Sequence, residues 1–138
     1  MNELRGSDPP PGPSGPARIL VVDDDPALRR IIVRVLARAG YVTDEASNGL
    51  EAIERYRAAP ADLVLTDMYM PGTDGIEGMI RLTAEFPGVR IVAMSGGGHL
   101  SQEDVLAAAA RLGARSTLEK PVDSRLLLRV VAEVLRSG

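Results

Sequence analysis

Four short apolar runs in this chain are each followed directly by residues able to do chemistry. After Ile19-Leu20-Val21-Val22 come Asp23-Asp24-Asp25, and after Leu63-Val64-Leu65 come Thr66-Asp67. Val89 to Met94 is followed by Ser95-Gly96-Gly97-Gly98, and Arg115 to Leu118 by Glu119-Lys120-Pro121. Carboxylates gathered in one place repel one another and call for a counter-charge. A hard divalent cation such as Mg²⁺ suits them, because it takes carboxylate, carbonyl and water oxygens. Lysine is a compact cation able to meet one oxygen of a phosphoryl group, and a serine hydroxyl can donate to another. A carboxylate can also be the nucleophile and form an acyl phosphate. Phosphoryl transfer is mainly positioning and charge neutralisation, and this set of groups suits it, provided the four runs lie side by side.

The elements that must position them follow from periodicity. Ile19 to Val22 is β-branched and wholly apolar, the pattern of a strand buried on both faces. Asp25-Pro26 supplies a helix cap and a proline for the first helical position. Leu28, Ile31, Ile32, Val35, Leu36 and Ala39 then recur at helical spacing, and Gly40 closes the helix. Tyr41 to Ala46 alternates and reads as a strand with one side less buried. Asn48 and Glu51 form a capping pair for a helix through about Ala58. The unit then repeats. Leu63 to Leu65, Val89 to Met94 and Arg115 to Leu118 are further strands. Helices are expected around Ile76, Met79 and Ile80, from Ser101 to Leu112, and from Asp123 through Leu127, Val130, Val131 and Val134. Strict alternation of five strands and five helices predicts an α/β fold: a doubly wound, five-stranded parallel sheet with helices on both faces, flavodoxin-like. In such a sheet ligands sit beyond the carboxyl ends of the strands, where the strand order reverses, so the four chemical segments are expected to meet at one edge.

Composition narrows the function classes. The chain has 138 residues with 16 basic against 19 acidic side chains, a formal net charge of −3, and 45% hydrophobic residues. That is one domain's worth of chain with enough apolar surface for a core. The balance argues against direct nucleic-acid or anionic-membrane binding, both of which favour a concentrated basic surface. No cysteine is present, which excludes disulfides, thiolate metal sites and a cysteine nucleophile. No apolar run approaches the length of a membrane helix and no signal-like stretch opens the chain, so a cytoplasmic location is expected. Residues 1–17 hold five of the ten prolines and are read as a disordered Pro/Gly-rich tail ahead of a domain over 18–138. The only lysine, Lys120, stands against fifteen arginines, and its place at a strand end sets it apart from a solvated surface residue.

Together, Ile19 to Asp25, Leu65-Thr66-Asp67-Met68-Tyr69-Met70-Pro71-Gly72-Thr73-Asp74-Gly75, Ala93-Met94-Ser95-Gly96 and Glu119-Lys120-Pro121 resemble the receiver domain of bacterial two-component response regulators. The resemblance runs in order over about residues 18–136. It implies that Asp67 accepts a phosphoryl group from a phosphohistidine on a sensor histidine kinase or phosphotransfer protein. It also implies that Asp24, Asp67 and the backbone carbonyl of Met68 ligate Mg²⁺, with Asp23 acting through water. Lys120 and Ser95 would hold the phosphoryl oxygens, and the Lys120-Pro121 peptide would be cis. The face of the fourth helix, fifth strand and fifth helix would carry the signal to a downstream protein through a shift between two conformations. Such a domain catalyses only its own phosphorylation and dephosphorylation.

Several positions have other readings or depart from the family. Asp25 before Pro26 is a cap rather than a further metal ligand, Asp74 before Gly75 is a turn or cap, and His99 is a loop histidine with no partner in sequence. Thr117 replaces the aromatic used as a rotamer switch in well-known receivers. Tyr69 and Gly97 occupy positions that modulate phosphoryl lifetime in the family. The principal alternative function is a phosphate-independent (pseudo-receiver) interaction module. A dehalogenase-type hydrolase is disfavoured because its nucleophile follows the first strand in an Asp-x-Asp-x-Thr/Val pattern, whereas here Pro26-Ala27 follow Asp25. A flavin-binding protein is disfavoured because three aspartates after the first strand repel a flavin phosphate. The last helix is expected to end two or three residues before Gly138, leaving no DNA-reading helix after it.

Overall fold

A computed structural model describes residues 11–12, 15–68, 74–96, 107–108, 110–111 and 113–137 of the chain. The five strands of the main sheet are β1 (Arg18–Val22), β2 (Val42–Ala46), β3 (Leu63–Asp67), β4 (Ile91–Ser95) and β5 (Ser116–Glu119). The helices are α1 (Pro26–Arg38), α2 (Gly49–Ala58), α3 (Asp74–Glu85) and α4 (Ser124–Arg136). All pairings in the sheet are parallel, and the strand order is β2-β1-β3-β4-β5. The expected helix from Ser101 to Leu112 falls mostly outside the described residues, of which 107–108 and 110–111 are helical. Tyr69, Gly97 and His99 also lie outside them.

Period-two alternation sorts the core into two layers. Ile19, Val21, Leu63, Leu65, Val92 and Met94 point to the face covered by α1 and α4, where they meet Ile32, Leu36, Leu127 and Val131. Leu20, Val22, Val64 and Ile91 point the other way, onto Ile53 and Tyr56 of α2 and Met79 and Leu82 of α3. Each fully buried aliphatic side chain contributes roughly 1.5–3 kcal/mol, and β1, β3 and β4 carry such residues on both faces. The edge strand β2 is less buried, as expected: Val42 is exposed, Thr43 to Glu45 are partly buried and only Ala46 is buried.

The N-terminal side of the fold begins at the end of the expected tail. Pro11–Gly12 pairs antiparallel with Gly15–Pro16. Ala17 is buried at 1% exposure, and its carbonyl accepts the Val42 N–H at 3.0 Å, so packing takes in this last residue of the proline-rich segment.

Helix starts follow the local chemistry. Asp25 Oδ1 accepts the N–H groups of Ala27 and Leu28 at 3.0 and 3.3 Å, which makes Asp25 the α1 cap. Gly40, at φ 103°, turns the chain out of α1 toward β2. At α2 the Glu51 N–H donates to Asn48 Oδ1 at 2.8 Å, but the return arm is displaced. Glu51 Oε1 accepts from the backbone N–H and hydroxyl of Ser47 at 2.6 and 2.9 Å, one residue upstream of the cap. The Ser47 backbone and hydroxyl hydrogen bonds hold the Glu51 carboxyl below the usual glutamate range, against the smaller effect of burial. A depressed folded pKa adds stability at pH values above the unfolded one, about 4.3 for glutamate, and that contribution is lost as pH falls through the folded value. Glu51→Gln is therefore expected to be less stable than the parent at neutral pH, with the gap closing in acid. Urea unfolding at stepped pH checks this, and a gap that stays constant down the acid limb counts against it.

Candidate functional site

The strand order reverses at β1, whose neighbours β2 and β3 lie on opposite sides. The crevice beyond the carboxyl ends of β1 and β3 is the expected ligand position for such a sheet. Asp23, one residue past β1, is fully buried, and Asp67, the last residue of β3, is 5% exposed. Asp24 is exposed. One carboxylate oxygen from each of Asp23, Asp24 and Asp67 lies within 4.8 Å of the other two. The three carboxylates predicted to converge thus do so.

Asp23 is held on every side. Its N–H donates to the Ala46 carbonyl at 3.1 Å. Its Oδ1 accepts the Asp25 N–H at 2.9 Å, and its Oδ2 accepts from Lys120 Nζ at 3.0 Å. Lys120 Nζ also donates to Asp67 Oδ2 at 3.0 Å. One ammonium therefore bridges two carboxylates that stand 44 residues apart in the chain, with Lys120 itself 53 residues beyond Asp67. Burial works against the charged Lys120 side chain. Hydrogen bonds to Asp67 and Asp23 and the charges of both outweigh it and hold its pKa above the ordinary lysine value.

Backbone contacts fix where the lysine enters. Lys120 follows β5, and its N–H donates to the carbonyl of Ser95, the last residue of β4, at 2.6 Å. A Cβ on Gly96 would stand 2.7 Å from the Lys120 Cβ, so only glycine admits the lysine stem this closely. The Lys120-Pro121 peptide is cis. Ser95 is 9% exposed and adjoins Lys120 through that backbone bond. Met68, the residue after Asp67, is anchored by its N–H to the Met94 carbonyl at 2.9 Å. Thr66, fully buried, donates its hydroxyl to the Asp67 carbonyl at 3.2 Å.

Three carboxylates against one ammonium leave the cluster with excess negative charge. Its donor set is all oxygen, and Asp24 faces solvent beside two buried partners. Such a donor set fits a hard divalent cation of the Mg²⁺ type. Sequence reading missed one residue that touches the cluster. Arg29, in the first turn of α1, donates from Nη1 to the Asp23 carbonyl at 2.6 Å and from Nε to Glu45 Oε1 at 2.9 Å. Only an arginine on the α1 face toward β2 would have signalled it, and Arg30 beside it carries the same residue type without the contact.

The comparisons with known proteins agree with this geometry. The family model described as response regulator receiver domain matches residues 19–132. Sporulation initiation phosphotransferase F of Bacillus subtilis is 37% identical over 106 residues, covering 77% of this chain and 83% of that protein. The chemotaxis protein CheY of Treponema pallidum is 34% identical over 128 residues, covering 90% of this chain and 87% of that protein. The crystal structure of a CheY-like response regulator receiver domain protein from Methanospirillum hungatei superimposes with a TM-score of 0.80. That pair is 28% identical, over 89% of this chain and 96% of the other.

Proposed function

The chain belongs to the response regulator receiver domain family, and on that premise we propose that it is a phosphoacceptor in a two-component relay, with Asp67 as the acceptor. Receiver domains are signalling domains rather than enzymes acting on a separate substrate. The observation that carries the proposal is the single Lys120 ammonium shared at 3.0 Å between Asp23 and Asp67, beside the oxygen cluster formed with Asp24.

In this reading an Asp67 carboxylate oxygen attacks the phosphorus of a phosphohistidine on a sensor histidine kinase or phosphotransfer protein. The O–P bond forms as the P–N bond breaks, and the imidazole leaves with a proton from solvent. Asp24, Asp67 and the Met68 carbonyl would hold Mg²⁺, with Asp23 acting through water. The ion supplies charge neutralisation for the incoming phosphoryl oxygens. Lys120 already points its ammonium at the acceptor, so it can pass from carboxylate to phosphoryl oxygen with little movement. Ser95, at the adjoining strand end, would donate its hydroxyl to a second oxygen. β5 and α4, which follow Ser95 and flank Lys120 in the chain, belong to the face proposed to relay the change to a downstream protein in the cytoplasm.

The test is direct. Protein incubated with Mg²⁺ and a small-molecule phosphodonor is expected to gain the mass of one phosphoryl group, and a chelator is expected to prevent the gain. Protein that folds and takes up Mg²⁺ yet never gains that mass, even from candidate kinases, would instead be the phosphate-independent interaction module.

A further inference from the structure

We propose that Arg29 is a positioning residue for the cation site, acting on Asp24 through the backbone of Asp23; the inference rests on the cation reading of the acidic cluster. Among the described residues no hydrogen bond or ion pair holds the Asp24 carboxylate, and Asp24 is exposed. Its direction is therefore set by the peptide that joins it to Asp23. The carbonyl of that same peptide accepts from Arg29 Nη1 at 2.6 Å. Arg29 is placed for this by two anchors. Its own N–H donates to the Asp25 carbonyl at 2.9 Å, the first helical bond of α1, and its Nε donates to Glu45 on β2 at 2.9 Å. The planar fork of a guanidinium can meet both the carbonyl and the carboxylate at once, which a lysine ammonium does with less geometric definition. Partners of this kind behind the ligands of a metal site commonly set its affinity by 10–100-fold when removed.

Coulomb's law makes the sign of the effect decisive. Deleting a positive charge beside a cation site strengthens cation binding if charge alone matters. If Arg29 positions Asp24, deletion weakens binding instead. Arg29→Met keeps the apolar stem and removes the fork. Its Mg²⁺ affinity, measured by titration calorimetry on the folded protein, is expected to fall about 10-fold relative to the parent. Arg30→Met, one residue along the same helix and without the contact to Asp23, removes the same charge and is expected to bind Mg²⁺ as tightly as the parent or slightly tighter. Arg29→Met binding as tightly as Arg30→Met overturns the proposal. Should Arg29→Met fail to fold, Arg29→Lys carries the same test. It keeps the charge and loses the fork, so its affinity is expected to drop several-fold, and an unchanged affinity overturns the proposal. A parent that takes up no Mg²⁺ brings down the cation reading itself and this inference with it. A parent that binds beside an equally tight Arg29→Met defeats the inference alone.

Discussion

With Mg²⁺ and a small phosphodonor, Asp67→Asn is expected to gain no phosphoryl mass over the period in which the parent is fully labelled. An amide oxygen lacks the negative charge that makes a carboxylate a competent nucleophile toward phosphorus. Neighbouring carboxylates are poor substitutes. Both oxygens of Asp23 are already engaged, by the Asp25 N–H and by Lys120, and the side chain is fully buried. Asp24 is exposed, and neither the Lys120 ammonium nor any other described side chain is bonded to its carboxylate. The variant is expected to remain folded, because the amide oxygen can still accept from Lys120 and one of three mutually repelling charges is gone. A stability within about 1 kcal/mol of the parent separates lost chemistry from lost structure. Mass spectrometry and denaturant unfolding on the same sample decide the matter. Undiminished labelling of Asp67→Asn would falsify Asp67 as the acceptor.

The fold was legible because its central strands are buried on both faces. Ile19 to Val22 and Leu63 to Leu65 contain no polar residue, and a run that short and apolar between helical segments leaves few arrangements other than an inner parallel strand. Strand ends were less legible. The expected Val89 to Met94 is observed as Ile91–Ser95, which makes Ser95 the last strand residue rather than the first of the loop. The displacement matters, since it is the Ser95 carbonyl, in strand geometry, that receives the Lys120 N–H. The aspartates and Lys120 announced themselves by position, each at the end of an apolar run. Arg29 did not. It lies six residues past Asp23, on a helix whose apolar stripe dominates the pattern, and its role depends on the guanidinium turning back past the helix start. Neither periodicity nor residue type encodes that turn. At α2 the pattern was half sufficient: Asn48 caps as expected, while Glu51 bonds Ser47 instead of closing the pair, because the Ser47 hydroxyl offers a second donor beside its own N–H.

Replacing Lys120 by methionine is expected to lower stability by about 3 kcal/mol at neutral pH in the presence of chelator. The substitution keeps the length of the stem that passes Gly96 but withdraws the ammonium from two carboxylates, one fully buried and the other nearly so. Removing one member of such an ion pair costs more than the pair itself contributes, because the partners left behind remain desolvated without a counter-charge. A figure at the lower end of the usual range is appropriate, since the Lys120 side chain is 20% exposed and water screens part of the loss. Millimolar Mg²⁺ is expected to recover part of the deficit. A cation held by the folded cluster and not by the unfolded chain stabilises by mass action, and without the competing ammonium the carboxylates offer it a more negative site. The gap between parent and Lys120→Met should therefore narrow as Mg²⁺ rises. Restored stability would not restore function, because the ion cannot replace the fixed ammonium beside Asp67, and phosphoryl uptake is expected to stay far below that of the parent. Urea unfolding with and without Mg²⁺, run beside the labelling assay, checks both halves. Equal midpoints for the two proteins in chelator would mean that Lys120 does not carry the charge balance of the cluster.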